Sequence, residues 1–202
     1  SSGHFNMFTG SATNGKGGDF LLSIGSGDKF AGGDFVLTAG LSTAASHGTG
    51  GSVSLTTGEG EPTTSGAVIV RTLNAGASGV SGTLSFTSGT ASGGNSGRIR
   101  LATGSATNGE GGDIIVSVGK SKTDAGGDVW VTAGHSESFS GGAVSLTTGE
   151  GSTDTSGAVV VKTMNAGTSG VSGMLSFTSG TASSGSSGHF NMFTGSATNG
   201  KG

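Results

Sequence analysis

Four aspartates recur at one place in neighbouring copies of a short sequence unit, and their spacing comes nearest to a chemical site. Asp19 and Asp34 are fifteen residues apart, and so are Asp113 and Asp128. If successive units lie about 4.8 Å apart, as paired strands do, each pair of carboxylates repels. A calcium ion between them would relieve that repulsion. The simpler interpretation is two solvated carboxylates beside turns, and we favour it.

Other residues that support catalysis or metal binding are scattered. His4, His47, His135 and His189 lie far apart in the chain, and none has the Ser–His–Asp arrangement of a hydrolase. The "GGD" string is similar to calcium-binding β-rolls, but their nine-residue period is missing. The glycine-rich strings lack P-loop spacing, and the chain has no cysteine for disulfides or thiolate metal sites. We therefore predict no enzyme, no cofactor and no metal.

Composition restricts the partners. Charged residues are 10% of the chain and the net charge is −3, without a basic run. This argues against nucleic acid as a partner. No stretch of 18 apolar residues occurs, so we predict no membrane insertion. Asn-x-Ser/Thr is absent, whereas O-linked glycans on the many Ser and Thr residues stay open.

The elements that must position any site are short repeats of the form Gly-x-Φ-x-Φ-x-x-Gly, where Φ is large and apolar. Below, the starting glycine is position 1, so Φ stands at positions 3 and 5. The interval is 15 residues, with exceptions of 16 and 18, and twelve repeats make 185 residues. The repeats start at Gly3, Gly18, Gly33, Gly51, Gly66, Gly82, Gly97, Gly112, Gly127, Gly142, Gly157, Gly173 and Gly188.

Apolar residues that alternate with small polar ones predict a half-buried strand in each repeat. A fixed repeat carrying one such strand predicts an all-β fold, a parallel β-solenoid (β-helix) with about 15 residues per coil. Its coil would be thin and two-sided, with positions 3 and 5 inward, among them Val131. Glycines at the corners would supply the positive φ of tight turns.

A longer period lies above the short one. Six-coil sub-repeats span approximately 3–96 and 97–187, and 188–202 starts the next repeat. The string "SSGHFNMFTGSATNGKG" fills both 1–17 and 186–202. We therefore expect residues 1–202 to be a single continuous solenoid segment of a longer tandem array.

Outward side chains would carry any function of such a coil. Position 4 is apolar in the second, third and fifth repeats of each half, and two phenylalanines at position 6 add to this set. A recurring apolar patch predicts a lateral contact surface. Its candidate residues are Leu21, Val36, Ile69, Ile115, Trp130, Val160, Phe8 and Phe193. The alternative is that these side chains face a second narrow core.

The chain resembles the Gly/Ser/Thr-rich tandem-repeat β-solenoids of fibre shafts, surface appendages and adhesins. That resemblance implies an extracellular or cell-surface structural protein, whose partners are further copies of its own repeat and neighbouring chains in a fibre. The repeat length is also similar to that of ice-binding and ice-nucleating solenoids, although their two-threonine rank does not form here. An ice-active module, or an adhesin stalk presenting a separate tip, is the alternative function.

Overall fold

The computed structural model describes residues 2–44, 46–61 and 63–198, and within these ranges it contains no helix and no strand. The predicted β-solenoid is therefore wrong: the chain has little regular structure and consists of irregular segments separated by bends. Of the duplicated string, Ser1 and residues 199–202 lie outside the described residues. No helix in the described part of the chain is long and apolar enough to cross a membrane.

The backbone hydrogen bonds of the described residues are local and form no ladder between neighbouring segments. A sheet requires N–H and C=O groups of neighbouring segments to pair in a ladder. Here the N–H of a starting glycine donates instead to the carbonyl of the glycine at position 8 of the preceding repeat, which closes a local loop. Six such bonds, with N···O distances of 2.8–3.1 Å, join Gly18 to Gly10, Gly33 to Gly25, Gly51 to Gly40, Gly66 to Gly58, Gly142 to Gly134, and Gly157 to Gly149. Apolar alternation indicates a segment that suits a strand, but it cannot supply the ladder partner.

Most loops bend just after position 10, whereas the loop between Gly40 and Gly51 bends at residues 46–47. The bends include residues 28–30, 122–124 and 152–154. At position 10, the Ser121 hydroxyl accepts a hydrogen bond of 3.1 Å from the Asp124 N–H. A Cβ on the equivalent Gly151 would collide with the Thr155 carbonyl oxygen. Position 10 is Ala, Ser or Gly in all thirteen repeats, because its side chain lies inside the loop.

Starting glycines approach the side chain at position 7 of the preceding repeat. A Cβ on Gly33 would lie 2.7 Å from Ile24 Cγ2, and one on Gly127 would lie 2.9 Å from Val118 Cγ1. The same approach, at 3.1–3.6 Å, recurs at Gly18, Gly51, Gly66, Gly82, Gly97, Gly112, Gly142, Gly157, Gly173 and Gly188. Among the described glycines only Gly185 has a positive φ, of 113°. The starting glycines are therefore needed for close approach, and the described corner glycines at position 8 do not take the positive φ that was predicted for them.

The predicted core does not form, since no residue in the described ranges is buried. Val131, predicted to point inward, is 73% exposed, against 84% for Trp130 beside it. The most shielded large apolar side chains are instead Ile24, 43% exposed, and Val118, 47% exposed, both at position 7. The accessible surface is 20463 Å², whereas a compact monomer of this mass exposes roughly 8,400 Å². Without paired backbones, no second layer covers positions 3 and 5.

The chain divides into two units, Ser1–Leu101 and Ala102–Gly202. The glycine-to-glycine loop closure and the approach to position 7 occur in both. One loop in the first unit, between Gly40 and Gly51, is three residues longer than the others of its kind. It closes through the same bond, at 2.8 Å, and His47 within it takes a left-handed φ of 64°. The additional residues are accommodated inside the loop.

Replacing Gly127 by Ala should loosen the loop that precedes it. The new Cβ would press on Val118, whose branched side chain is stiff about χ1. Overpacking should cost about 1 kcal/mol, the low end of its usual range, because Val118 is half exposed and can yield. Hydrogen exchange at the Asp124 and Ala125 N–H groups, which donate to Ser121 Oγ and Asp124 Oδ1 in this loop, should accelerate. Gly126→Ala is the matched control, since nothing lies within 4 Å of its Cβ, and Val118→Ala should rescue the Gly127 variant. Equal exchange in the two single variants would contradict this contact.

Replacing Val131 by Asp should change the stability of the isolated chain by less than about 0.5 kcal/mol, because the side chain already faces solvent. Ser145→Asp, at an exposed outward position, should behave the same way. Limited proteolysis of the two variants beside the unmodified chain measures the difference. Rapid cleavage of the Val131 variant alone would show that position 5 does belong to a core.

Candidate functional site

The eight residues of the predicted lateral contact surface are all exposed. They are Phe8, Leu21, Val36 and Ile69 in the first unit, and Ile115, Trp130, Val160 and Phe193 in the second. The structure thus leaves their side chains accessible within each unit. Whether they bind another chain stays a prediction.

Exposure alternates along the segments that carry these residues. Leu21 at position 4 is 88% exposed, whereas Phe20 and Leu22 on either side of it are 62% and 56% exposed. Neighbouring side chains therefore differ in accessibility in the sense that the alternating sequence predicts. The difference is one of degree, because both sets remain in contact with solvent.

The aspartate pairs do not build a metal centre. Lys16 Nζ lies 2.7 Å from Asp19 Oδ2, an ion pair whose side chains are both well exposed. Such a pair is screened by water and contributes little stability. No group of three His, Asp or Glu side chains in the described ranges is arranged to hold a metal ion. Asp34, Asp113 and Asp128 are exposed, as expected for solvated carboxylates.

Two other aspartates have a local structural role that the sequence pattern did not reveal. Asp124 Oδ1 accepts a hydrogen bond of 2.8 Å from the Ala125 N–H, and Asp154 Oδ1 accepts one of 2.8 Å from the Thr155 N–H. Both residues stand at position 13, the end of the bend. A short acidic side chain there accepts a hydrogen bond from the N–H of the next residue, which has no partner in a helix or a sheet.

An aromatic pair links two successive repeats in the second unit. The ring centroids of Phe177 and Phe190 are 6.1 Å apart, and the ring planes are tilted by 30°. These are position 5 of one repeat and position 3 of the next, so inward positions of neighbouring repeats can touch. The corresponding residues six repeats earlier are Phe86 and Ile99, which explains why the full pairing was not predicted from the repeat alone.

A shallow cavity of about 330 Å³ borders this aromatic pair. Its lining also includes Ser176, Thr178, Ser179 and His189. His189 lies at this cavity in the second unit, and His47 lies in the long loop of the first unit. A single imidazole beside hydroxyl groups, without a carboxylate in the lining, does not form a nucleophile–base–acid arrangement.

Comparison with protein-family models, with curated proteins and with solved structures finds no match to this chain.

Proposed function

We propose that the chain is a structural protein, a segment of an extracellular fibre, filament or surface-appendage shaft. The observation that carries the proposal is the exposure of large apolar side chains at recurring positions of the repeat, in both units. Monomeric soluble proteins rarely leave contiguous apolar patches uncovered, and such patches commonly mark contacts with other molecules. Because the patches recur with the repeat, a partner with the same period suits them best.

The partners in this proposal are further copies of the repeat and neighbouring chains. Full burial of one Val, Leu, Ile or Phe side chain contributes about 1.5–3 kcal/mol. If a neighbour covers each of the eight surface residues by half, the gain is on the order of 10 kcal/mol. Association costs about 4–15 kcal/mol. For two chains of this length, the gain from apolar burial and the cost of association are therefore about equal. A longer array, with many linked contacts, would associate firmly.

The extracellular or cell-surface location rests on the resemblance to repeat-rich shafts and adhesins. Exposed Ser and Thr side chains throughout the described ranges are also accessible to O-linked glycosylation. The stalk of an adhesin would use the same exposed repeats as a spacer and would not require lateral contact. Lateral assembly is therefore the property that separates the proposed shaft from a simple stalk.

Trp130 is the only tryptophan and provides an intrinsic probe of assembly. In dilute solution its fluorescence should be that of a water-exposed indole, open to acrylamide, because the side chain is 84% exposed. At increasing concentration the emission should shift to the blue and quenching should fall, while sedimentation velocity detects larger species. Electron microscopy of the same samples should show filaments.

A chain that stays monodisperse, with Trp130 quenchable at every concentration, would contradict lateral assembly. Trp130→Ser is the control for quenching measurements, since it removes the probe and one surface side chain. Thermal hysteresis or ice nucleation by the monodisperse chain would instead support the ice-active alternative.

A further inference from the structure

Charge accompanies the outward apolar residues. Wherever position 4 is apolar in the second or third repeat of a half, position 2 is aspartate. Where it is apolar in the fifth repeat, position 6 is arginine or lysine. We call residues 19–21, 34–36, 113–115 and 128–130 the acidic segments, and residues 69–71 and 160–162 the basic segments. The fourth and sixth repeats have serine at position 4 and no charge from position 2 to position 6.

These charges are largely unpaired within the chain. Among the described residues, the ion pair is Lys16–Asp19, and neither Arg71 nor Lys162 has a carboxylate oxygen within 4 Å. Both side chains are exposed, as are Asp34 and Asp113. Each basic segment therefore presents an apolar residue and an unneutralised cation on a solvent-facing stretch. Each acidic segment presents an aspartate beside an equally exposed apolar residue, and Asp19 shares its charge with Lys16.

We propose that a second copy of the chain binds laterally with its basic segments against the acidic segments of the first. The inference rests on the proposed lateral assembly and adds the partner's register. Copies aligned side by side without an offset would place Arg71 beside Arg71 and Asp34 beside Asp34, and like charges at contact distance repel. A parallel offset of three repeats instead brings Arg71 to Asp113 of the other copy. It also brings Asp19 to Arg71.

The same offset matches the apolar side chains. Leu21 then faces Ile69 of the second copy, and Ile69 faces Ile115 in turn. The bulky Trp130 comes opposite Ser176, which leaves space for the indole. An offset of two repeats fails this test, because it moves Arg71 onto Arg98 and Arg100. Charge therefore favours the three-repeat offset over aligned copies and over an offset of two repeats.

Cross-linking of single-cysteine chains tests the register directly, because the chain has no cysteine of its own. Chains carrying Leu21→Cys and chains carrying Ile69→Cys are mixed in equal amounts and treated with a short bis-maleimide. The mixed dimer should exceed each like-with-like dimer by about fivefold, beyond the statistical twofold, since opposite charges favour one alignment. Predominant like-with-like dimers, or the statistical mixture, would overturn the proposed register.

Charge reversal separates electrostatic pairing from apolar contact alone. Arg71→Glu with Lys162→Glu should lower the mixed-dimer yield about tenfold at low salt, and Asp19→Lys with Asp113→Lys in the partner should restore it. Lys120→Glu with Lys122→Glu is the matched control, because these exposed lysines lie outside the basic segments. An equal loss in the control would overturn the pairing.

The two proposals can fail separately. If the unmodified chain forms filaments but the cysteine pairs cross-link in the aligned register, the offset is wrong and lateral assembly stands. If the unmodified chain stays monomeric and the mixture cross-links at the level of random collision, both are wrong.

Discussion

The close approach of each starting glycine to the position-7 side chain of the preceding repeat is the constraint on which the other features depend. It brings together the two ends of an eight- to eleven-residue loop, so that the glycine N–H can reach the position-8 carbonyl. A Cβ at the starting position would fill the space that this approach uses. The loop then determines where the backbone bends and why position 10 carries only small residues. Ile24 and Val118 are the best shielded large apolar side chains because they stand at this contact.

The sequence predicted the period and the alternation of accessibility, which follow from interactions close in the chain, whereas the bends lie after position 10 and not at the predicted corner glycines. The bends after position 10 arise from small residues and hydroxyl or carboxylate acceptors within a few residues, as at Ser121 and Asp154. The predicted strands do not form in the described residues, because ladder hydrogen bonds require donors and acceptors of another segment at the right distance. Alternating residues such as Phe20, Leu21 and Leu22 are compatible with a ladder, yet they do not create one. The loop closure and the glycine approach thus recur with the sequence period although no sheet forms in the described residues.

The contact surface could be anticipated only in part. Position 4 of the repeat anticipated which side chains are more exposed than the residues beside them, and Trp130 and Leu21 fit that expectation. The aromatic pair of Phe177 and Phe190 depends on a substitution between halves that the repeat itself does not encode. In the proposed assembly a second chain covers the exposed residues, and the pattern of charges beside them is the guide to its register.

The long loop between Gly40 and Gly51 shows how such a chain can change in length without disturbing its neighbours. Its closing bond is 2.8 Å, against 2.9 Å for the shorter loop between Gly10 and Gly18. The hydrogen bond between the two glycines holds the ends of the loop together, so the residues between them can vary in number and type. Insertions between position 8 of one repeat and position 1 of the next should therefore disturb the structure little. An insertion between positions 1 and 7 would shift every apolar residue after it. Sequence differences among the repeats are expected to accumulate in the loops. Foreign peptides could be displayed there without breaking the glycine-to-glycine hydrogen bond.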